Sequence, residues 1–398
     1  MRVAAKFALG GAVAFVLSLQ GACVGDSPGE GTTDAGGDAG PVQGTEGGTC
    51  FANGTCNAGL VCVVPNQCQR PGSDAGGDAD AAVGTDAADA ASASMLSCAA
   101  SGDGRTNCGG GSESCCTSLP VTGGTYNRTY TNTGSGPTGE ADPATVSDFR
   151  LDKYEVTVGR FRQFVAAWNG GSGWTPPAAS GKHTHLNGGS GLAATGGGYE
   201  PGWSTSDNGN IAPTNGNLAC KANYETWTPS AGAHEKLPVS CVSWYEAAAF
   251  CIWDGGFLPS EAEWEYAAAG GSAEREYPWG STSPGTSNQY AVYGCYYPSS
   301  SGSCTDVTNI APVGTPTAGA GRYGQLDLAG NVWEWNLDWS ASYASCTNCT
   351  NATPGSGRAL RGGYLGGPAS NLLPPFRANG GAPSTRNDAY GFRCARTP

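Results

Sequence analysis

Two cysteines in the last quarter of the chain have the spacing of a chemically active pair. Cys346 and Cys349 form a C-x-x-C sequence, and thiols at this spacing can cycle between dithiol and disulfide or bind a soft metal ion. The Ser, Thr and Asn residues around them indicate a loop. This setting favours a structural disulfide over a redox or metal site.

A second arrangement that could do chemistry is His183-Thr-His185. Side chains two residues apart on a strand point to the same face, so two imidazoles could meet there. The chain has only 3 histidines, and none lies near a Ser or Cys in a recognisable nucleophile motif. We therefore expect His183 and His185 to form a loop or surface pair.

The N-terminus and the cysteine count indicate export. Residues 1–22 have the basic start, apolar stretch and small-residue end of a secretory signal. Residues 19–23 (LQGAC) are similar to a bacterial lipobox, so Cys23 is expected to carry lipid and to anchor the protein, favouring the outer membrane. Secretion without a lipid is the alternative. The remaining 16 of the 17 cysteines suit disulfides in an oxidising compartment.

Charge and composition separate a tether from a folded part. Residues 23–97 contain ten acidic residues, one basic residue and no Trp or Tyr, which predicts a disordered, self-repelling tether. Four evenly spaced cysteines within it form a small module at 50–68, either a spacer or a small binding unit. The net charge of −13 and the lack of a basic block exclude nucleic acid and anionic lipid as electrostatic partners.

Residues 98–398 hold all 11 Trp and are predicted to form the folded domain. Thr157 can cap a helix, and Ser243 and Ser260 each precede a Glu by three residues, which is the pattern of a capping box. Elsewhere, short alternating runs are separated by Gly, Asn, Ser and Pro. The expected fold is α+β, with few helices and low regular secondary structure.

Seven segments of this domain occur in the order of a known family. Together they resemble the sulfatase-modifying-factor family, the formylglycine-generating-enzyme domain, whose fold is a variant of the C-type-lectin fold. The segments are 149–158 (FRLDKYEVTV), 237–244 (LPVSCVSW), 258–266 (LPSEAEWEY), 277–280 (YPWG), 330–335 (GNVWEW), 361–363 (RGG) and 391–394 (GFRC).

The resemblance implies a copper oxidase whose metal ligands have been lost. Family enzymes use copper and oxygen to convert a sulfatase cysteine to formylglycine, and soft Cu(I) needs a pair of thiolates. In the family that pair follows the Arg-Gly-Gly motif. Here Gly367 stands at the first cysteine position and Leu372 or Leu373 at the second, so copper is not expected to bind.

The same segment supplies candidates for a binding groove. Arg361, Tyr364, Gly367 and Arg377 match positions around the family's peptide groove, and Arg358 joins the two arginines as a candidate anion-binding patch. Four tryptophans lie partly outside the family motifs, and one or two of them could line a surface for carbohydrate or peptide. They are Trp168, Trp174, Trp203 and Trp227.

The resemblance further implies structural calcium. The matching ligands are the carboxylates of Asp327 and Glu334 and the carbonyls of Gly330 and Val332, a mixture of hard oxygens that suits Ca²⁺. The alternative is that both carboxylates simply face solvent. A second family site would map near Asn288, Gln289 and Asp306.

The family also implies a disulfide between Cys251 and Cys394. From the sequence, other pairings are Cys295 with Cys304 and Cys220 with Cys241. Adjacent Cys115 and Cys116 are expected to have different partners, with Cys98 and Cys108 as candidates.

Three functions follow from these patterns. The favoured one is a non-oxidase domain that binds a peptide, protein or glycan ligand at the cell surface. The alternatives are an oxidase with unfamiliar ligands and a structural envelope protein.

Overall fold

The computed structural model describes residues 61–63, 67–69, 95–378 and 380–398. The signal segment, Cys23 and most of the tether lie outside the described residues. The chain divides into two units, 1–82 and 83–398. In the first, strands β1 (Val61–Val63) and β2 (Gln67–Gln69) pair antiparallel, with Cys62 opposite Cys68.

The helices of the second unit begin at the predicted caps. The Thr157 hydroxyl accepts a hydrogen bond from the amide of Arg160, and Ser243 and Ser260 both form complete capping boxes. The three predicted helices are thereby confirmed, and a one-turn helix was not foreseen. The helices are α1 (Val158–Trp168), α2 (Asn215–Leu218), α3 (Trp244–Trp253) and α4 (Glu261–Ala269).

The strands are short and form several small sheets. They are β3 (Ser118–Val121), β4 (Gly124–Asn132), β5 (Pro137–Val146), β6 (Phe149–Asp152), β7 (Ala193–Ala194), β8 (Trp333–Trp339), β9 (Cys346–Thr347), β10 (Cys349–Thr350), β11 (Arg358–Arg361), β12 (Tyr390–Gly391) and β13 (Ala395–Arg396). In each three-stranded sheet a middle strand is flanked on both sides: β8 by β11 and β12, β6 by β3 and β13, and β5 by β4 and β9, while β7 pairs with β10.

Two aromatic clusters form most of the core. The larger one joins α1, α3 and β8 through rings such as Phe161, Phe250 and Trp335. The second packs α4 against the sheets of β4 and β6 through Tyr126 and Trp264. Each fully buried large side chain contributes roughly 1.5–3 kcal/mol, so these rings support a domain with little regular structure. No helix in the described residues is long and apolar enough to cross a membrane.

Six disulfides connect the twelve cysteines of the described second unit. The longest loop is closed by Cys251 on α3 and Cys394 near the C-terminus, with a sequence separation of 143. The Cys346–Cys349 pair is a disulfide. The others are Cys98–Cys116, Cys108–Cys115, Cys220–Cys241 and Cys295–Cys304.

Candidate functional site

The segment that follows β11 forms the candidate site, and two glycines start it. Gly362 and Gly363 have φ angles of 96° and 83°, a left-handed conformation that side chains disfavour. A β-carbon on Gly362 would lie 3.2 Å from the Trp264 ring, and one on Gly363 would lie 3.0 Å from the Asn371 carbonyl oxygen. The Gly-Gly pair therefore lets the backbone turn between α4 and the following loop.

Tyr364 covers the position of the first family cysteine. A β-carbon built on Gly367 would lie 3.1 Å from the Tyr364 ring and 3.0 Å from Asn371 Nδ2. The Tyr364 ring also stacks on Trp333, with centroids 6.1 Å apart, and Trp333 stacks on Phe376 at 6.0 Å. An aromatic cluster thus occupies the space beside residue 367.

The second family position is apolar as well. Leu372 is 2% exposed and packs with Ala291, Tyr293 and Ala329, whereas the neighbouring Leu373 lines an open groove. Because every cysteine from residue 95 onward in the described chain is in a disulfide, this part offers no thiolate pair to copper.

Arg361 forms buried ion pairs, so its guanidinium is not free for the anion-binding patch that the sequence left open. Its guanidinium is fully buried and donates to Glu261 at 2.8 Å and to Glu265 at 2.7 Å, both on α4. It also donates to the carbonyl oxygen of Pro374 and to the hydroxyl of Tyr343. Burial raises the pKa of Glu265 to about 8, against the effect of Arg361. Arg361 therefore fixes β11 to α4.

Arg377 is held in a similar way, although it is only partly buried. Both of its terminal nitrogens donate to the Ala341 carbonyl oxygen at 2.7 Å, and Nε lies 2.7 Å from Glu261 Oε1. The guanidinium is 4.6 Å from the centre of the Tyr343 ring. Because its terminal nitrogens are engaged by Ala341 and Arg361 is buried, these two arginines do not form an open anion-binding patch. The side chain of Arg358, the third arginine, packs against Trp244 and Trp339 instead.

An open groove of about 370 Å³ runs beside the candidate segment. One wall comes from the end of β4, and the other comes from residues 370–376. Aromatic and apolar surfaces alternate there with amide, hydroxyl and carboxylate groups, a mixture suited to a peptide or glycan. The lining residues are Tyr130, Thr131, Asn132, Thr133, Glu276, Tyr277, Ser370, Leu373, Pro375 and Phe376.

The predicted calcium ligands are only partly available. Asp327 is 4% exposed; its Oδ2 accepts from the Gly314 amide at 2.6 Å, and its Oδ1 has no hydrogen-bond partner. Glu334, in contrast, accepts from Arg393 through both oxygens at 2.7 Å, and from Trp264 Nε1 at 2.8 Å. Asp327 fits a hard cation, whereas Glu334 as placed is occupied by Arg393. Neither carboxylate faces solvent.

Sequence reasoning missed Glu155, which lies beside this turn. Its carboxylate accepts from Asn331 Nδ2 at 2.7 Å and from the Val332 amide at 3.2 Å. Burial is the main cause that raises the pKa of Glu155, and the negative charges of Asp327 and Glu334 add to it. Burial also raises the pKa of Asp327, to about 6. The region is thus rich in buried carboxylates. The family motif at 149–158 contains Glu155, but only the fold shows its neighbours.

The residues of the second predicted calcium site serve local structure. Asp306 caps the short turn Val307–Asn309 by accepting from the amide and hydroxyl of Thr308. Asn288 donates to the Tyr296 carbonyl oxygen at 3.1 Å, and its own Oδ1 is buried without a partner. Within the described residues, no hydrogen bond joins Asp306 to Asn288 or Gln289.

His183 lies in a loop, as one half of the histidine prediction had it, but it is buried in an ionic cluster and is not on the surface. Its Nδ1 lies 3.1 Å from Glu200, and its Nε2 lies 3.0 Å from Glu263 on α4. Burial lowers the pKa of His183, but the two carboxylates outweigh burial and raise it to about 10. Across the described residues, no three His, Cys, Asp or Glu side chains converge as a metal site.

Comparison with known proteins identifies the family of this domain. The model of the sulfatase-modifying factor enzyme 1-like domain matches residues 110–398. The formylglycine-generating enzyme of Streptomyces coelicolor is 37% identical over 165 residues, covering 40% of this chain and 52% of that protein. The inactive C-alpha-formylglycine-generating enzyme 2 of Mus musculus is 35% identical over 175 residues, covering 42% and 52%.

Other relatives cover more of the chain at lower identity. The formylglycine-generating enzyme of Thermomonospora curvata is 29% identical over 287 residues, covering 65% of this chain and 86% of that protein. Among solved structures, PvdO from Pseudomonas aeruginosa has a TM-score of 0.44 and 21% identity, covering 71% and 94%. The chain spans about half the length of the first two relatives. Because the family model matches most of the chain, the protein belongs to the sulfatase-modifying factor enzyme 1-like family, with its α+β, C-type-lectin-like fold.

Proposed function

We propose that this protein is a cell-surface binding domain that keeps the fold of formylglycine-generating enzymes without their copper oxidase activity. The observation that carries the proposal is that Gly367 stands at the first family cysteine position and Leu372 or Leu373 at the second. Gly367 lies against the Tyr364 ring, Leu372 is buried in an apolar cluster, and Leu373 lines the groove. None of these residues can supply a thiolate to Cu(I).

The binding surface in this proposal is the groove between β4 and residues 370–376. Tyr277 presents a partly exposed ring that stacks on Trp279, with centroids 4.9 Å apart. Phe376 contributes a second ring, and Glu276 and Asn132 contribute polar groups. Rings flanked by hydrogen-bonding groups bind peptides and glycans, so the ligand is a peptide, protein or glycan.

Export through the N-terminal signal and lipidation at Cys23 complete the proposal. The disulfides of the second unit support it, because such bonds persist in oxidising compartments. The membrane contact would be the lipid, with an outer-membrane location favoured over secretion. Metabolic labelling with a radioactive fatty acid tests this: a labelled wild type and an unlabelled Cys23→Ala variant are expected.

A structural Ca²⁺ ion at the turn 327–334 is also part of the proposal. It is supported by the unpaired Oδ1 of Asp327 and by the surplus of buried carboxylates, with Glu155 beside Asp327 and Glu334. Such an ion would supply positive charge to the turn. Asp327 would hold it together with the carbonyl groups of Gly330 and Val332, which belong to the same turn in the sequence.

An oxidase is the second candidate, favoured by the likeness to formylglycine-generating enzymes. The full exported chain is loaded with Cu(I), and a Cys-x-Pro-x-Arg peptide is followed by mass spectrometry. The enzyme of Streptomyces coelicolor serves as the positive control. We expect no aldehyde from this protein; conversion of the peptide thiol would establish the oxidase instead.

Binding is tested with peptide and glycan arrays. A ligand retained by the wild type should be lost in Tyr277→Ala or Phe376→Ala. Tyr199→Ala is the matched control, because Tyr199 is 51% exposed and lies outside the groove. Failure of all arrays to give a ligand would favour the third candidate, a structural envelope protein.

A further inference from the structure

A second cavity lies at the other end of β8 from the candidate segment. Its accessible volume is about 80 Å³, and its walls include three tryptophans and several aliphatic side chains. Trp339, at the end of β8, is one of them, whereas Trp333, which stacks on Tyr364, begins that strand. Six residue steps along a strand separate the two sites by roughly 20 Å. The main lining side chains are Trp203, Trp244, Trp339, Ile252, Leu258 and Arg358.

Arg358 lies between two of these indole rings. Its guanidinium carbon is 3.7 Å from the centre of the Trp244 ring and 4.0 Å from that of Trp339. These contacts are cation–π interactions that cover the flat faces of the guanidinium. Its remaining hydrogen bonds must therefore be made in its own plane, along the N–H edges.

One of those edges has no acceptor. Nη1 donates to the Leu337 carbonyl oxygen at 2.6 Å, whereas Nε is buried without a hydrogen-bond partner. Within the described residues, the Arg358 side chain makes no other hydrogen bond and has no carboxylate within ion-pair distance. Burial lowers the pKa of Arg358 to about 10, so it stays charged at neutral pH. A buried, unpaired donor on a charged group is costly, and an anion at the Nε–Nη2 edge would remove that cost.

None of the described acidic groups near the cavity forms an ion pair with Arg358; Asp207 attracts it only from a distance, and two others are already engaged. Glu200 lines the cavity, but both of its oxygens contact His183 Nδ1, and Oε1 also accepts from the Leu192 amide. Asp338 attracts Arg358 from a distance, and its oxygens accept from the amides of Glu261 and Asn351. Arg358 is therefore a charged side chain in the cavity wall that has no carboxylate as a direct partner.

We propose that this cavity binds a small carboxylate attached to a compact apolar body. A planar carboxylate matches the Nε–Nη2 edge of a guanidinium, which can donate two parallel hydrogen bonds. The apolar body would lie against the indole rings and Leu258. An accessible volume of about 80 Å³ limits that body to a single ring or a short branched chain. This site is separate from the groove, so it does not depend on the function proposed for the groove.

Benzoate and benzamide are the probes, because they share a shape and differ in charge. Binding to the full chain is followed by ligand-observed NMR and by tryptophan fluorescence. We expect benzoate to bind at least about tenfold more tightly than benzamide, the size of one charge-assisted interaction. Equal affinities, or no binding of benzoate at millimolar concentration, would overturn the proposal.

Variants locate the binding. Arg358→Gln should abolish the tighter binding of benzoate relative to benzamide. Arg358→Lys should reduce that difference in affinity, because Lys keeps the charge without the planar edge. Arg377→Gln is the matched control, since Arg377 also stacks on an aromatic ring but lies outside the cavity. Benzoate binding that survives Arg358→Gln, or that Arg377→Gln abolishes equally, would reject this site. Should Arg358→Gln fail to fold, the relative affinities of the wild type for benzoate and benzamide still test whether the cavity binds a carboxylate.

Discussion

The Tyr364 ring lies so close to Gly367 that a β-carbon on residue 367 would stand 3.1 Å from two of its ring atoms. In the family oxidases a cysteine occupies this position. The Tyr364 ring is itself held by stacking on Trp333. A cysteine introduced at residue 367 would therefore meet a rigid aromatic neighbour.

The first prediction measures this crowding. Gly367→Ala should lower the free energy of unfolding by about 1 kcal/mol, because the added methyl group overpacks the space beside Tyr364. In a Tyr364→Ser background the same change should cost less, and a double-mutant cycle in denaturant gives the coupling. Gly232→Ala is the control, since a β-carbon there meets no atom within 4 Å. Equal costs in both backgrounds would show that Tyr364 does not restrict residue 367.

Local sequence patterns predicted the helices well and their buried partners poorly. The capping boxes at Ser243 and Ser260 depend on residues three positions apart, so the sequence alone reveals them. The acidic face of α4 shows the limit. Its glutamates are buried, because Glu263 meets His183 and Glu265 meets Arg361, which lie 80 and 96 positions away in the chain.

The candidate site also contains features that the sequence predicted and features that it could not predict. The spacing after the Arg-Gly-Gly motif identified Gly367, and either Leu372 or Leu373, as the positions that lack sulfur. It could not show that Arg361 is buried between glutamates, because a pairing of β11 with α4 has no local signal. Nor could it place Arg358 between Trp244 and Trp339, which come from different elements.

The second prediction concerns the Cys251–Cys394 disulfide. Replacing both cysteines with Ala should lower the free energy of unfolding by about 5 kcal/mol, because the bond closes a loop with a separation of 143 residues. Removing Cys346–Cys349, with a separation of 3, should cost only about 1 to 2 kcal/mol. Chemical denaturation of the two double variants provides the comparison. Similar costs would mean that loop entropy does not govern these bonds.

The third prediction is a pH dependence due to His183. Its pKa is raised from 6.5 in the unfolded chain to about 10 in the fold by Glu263 and Glu200, against the effect of burial. The charged form therefore adds stability, of the order of a few kcal/mol, that is complete below pH 6.5 and disappears as the pH rises toward 10. Wild type should lose stability over this range more steeply than His183→Gln. His234→Gln should keep the steep slope, and parallel curves for wild type and His183→Gln would contradict the ion pairing.

The last prediction concerns calcium at the turn that holds Asp327. Free Ca²⁺ at about a hundred times its dissociation constant should raise the free energy of unfolding by roughly 2.7 kcal/mol, and a chelator should reverse this. Asp327→Asn should abolish the increase. Without calcium, the same variant should be as stable as the wild type or more so, because it removes a buried charge whose Oδ1 has no partner.

Glu140→Gln changes an exposed carboxylate on β5 and should respond to calcium like the wild type. A calcium response that is smaller in Asp306→Asn would indicate binding at the second predicted site. A calcium response that survives Asp327→Asn would place the ion elsewhere. An Asp327→Asn protein that is much less stable even without calcium would mean that the carboxylate serves the Gly314 amide alone.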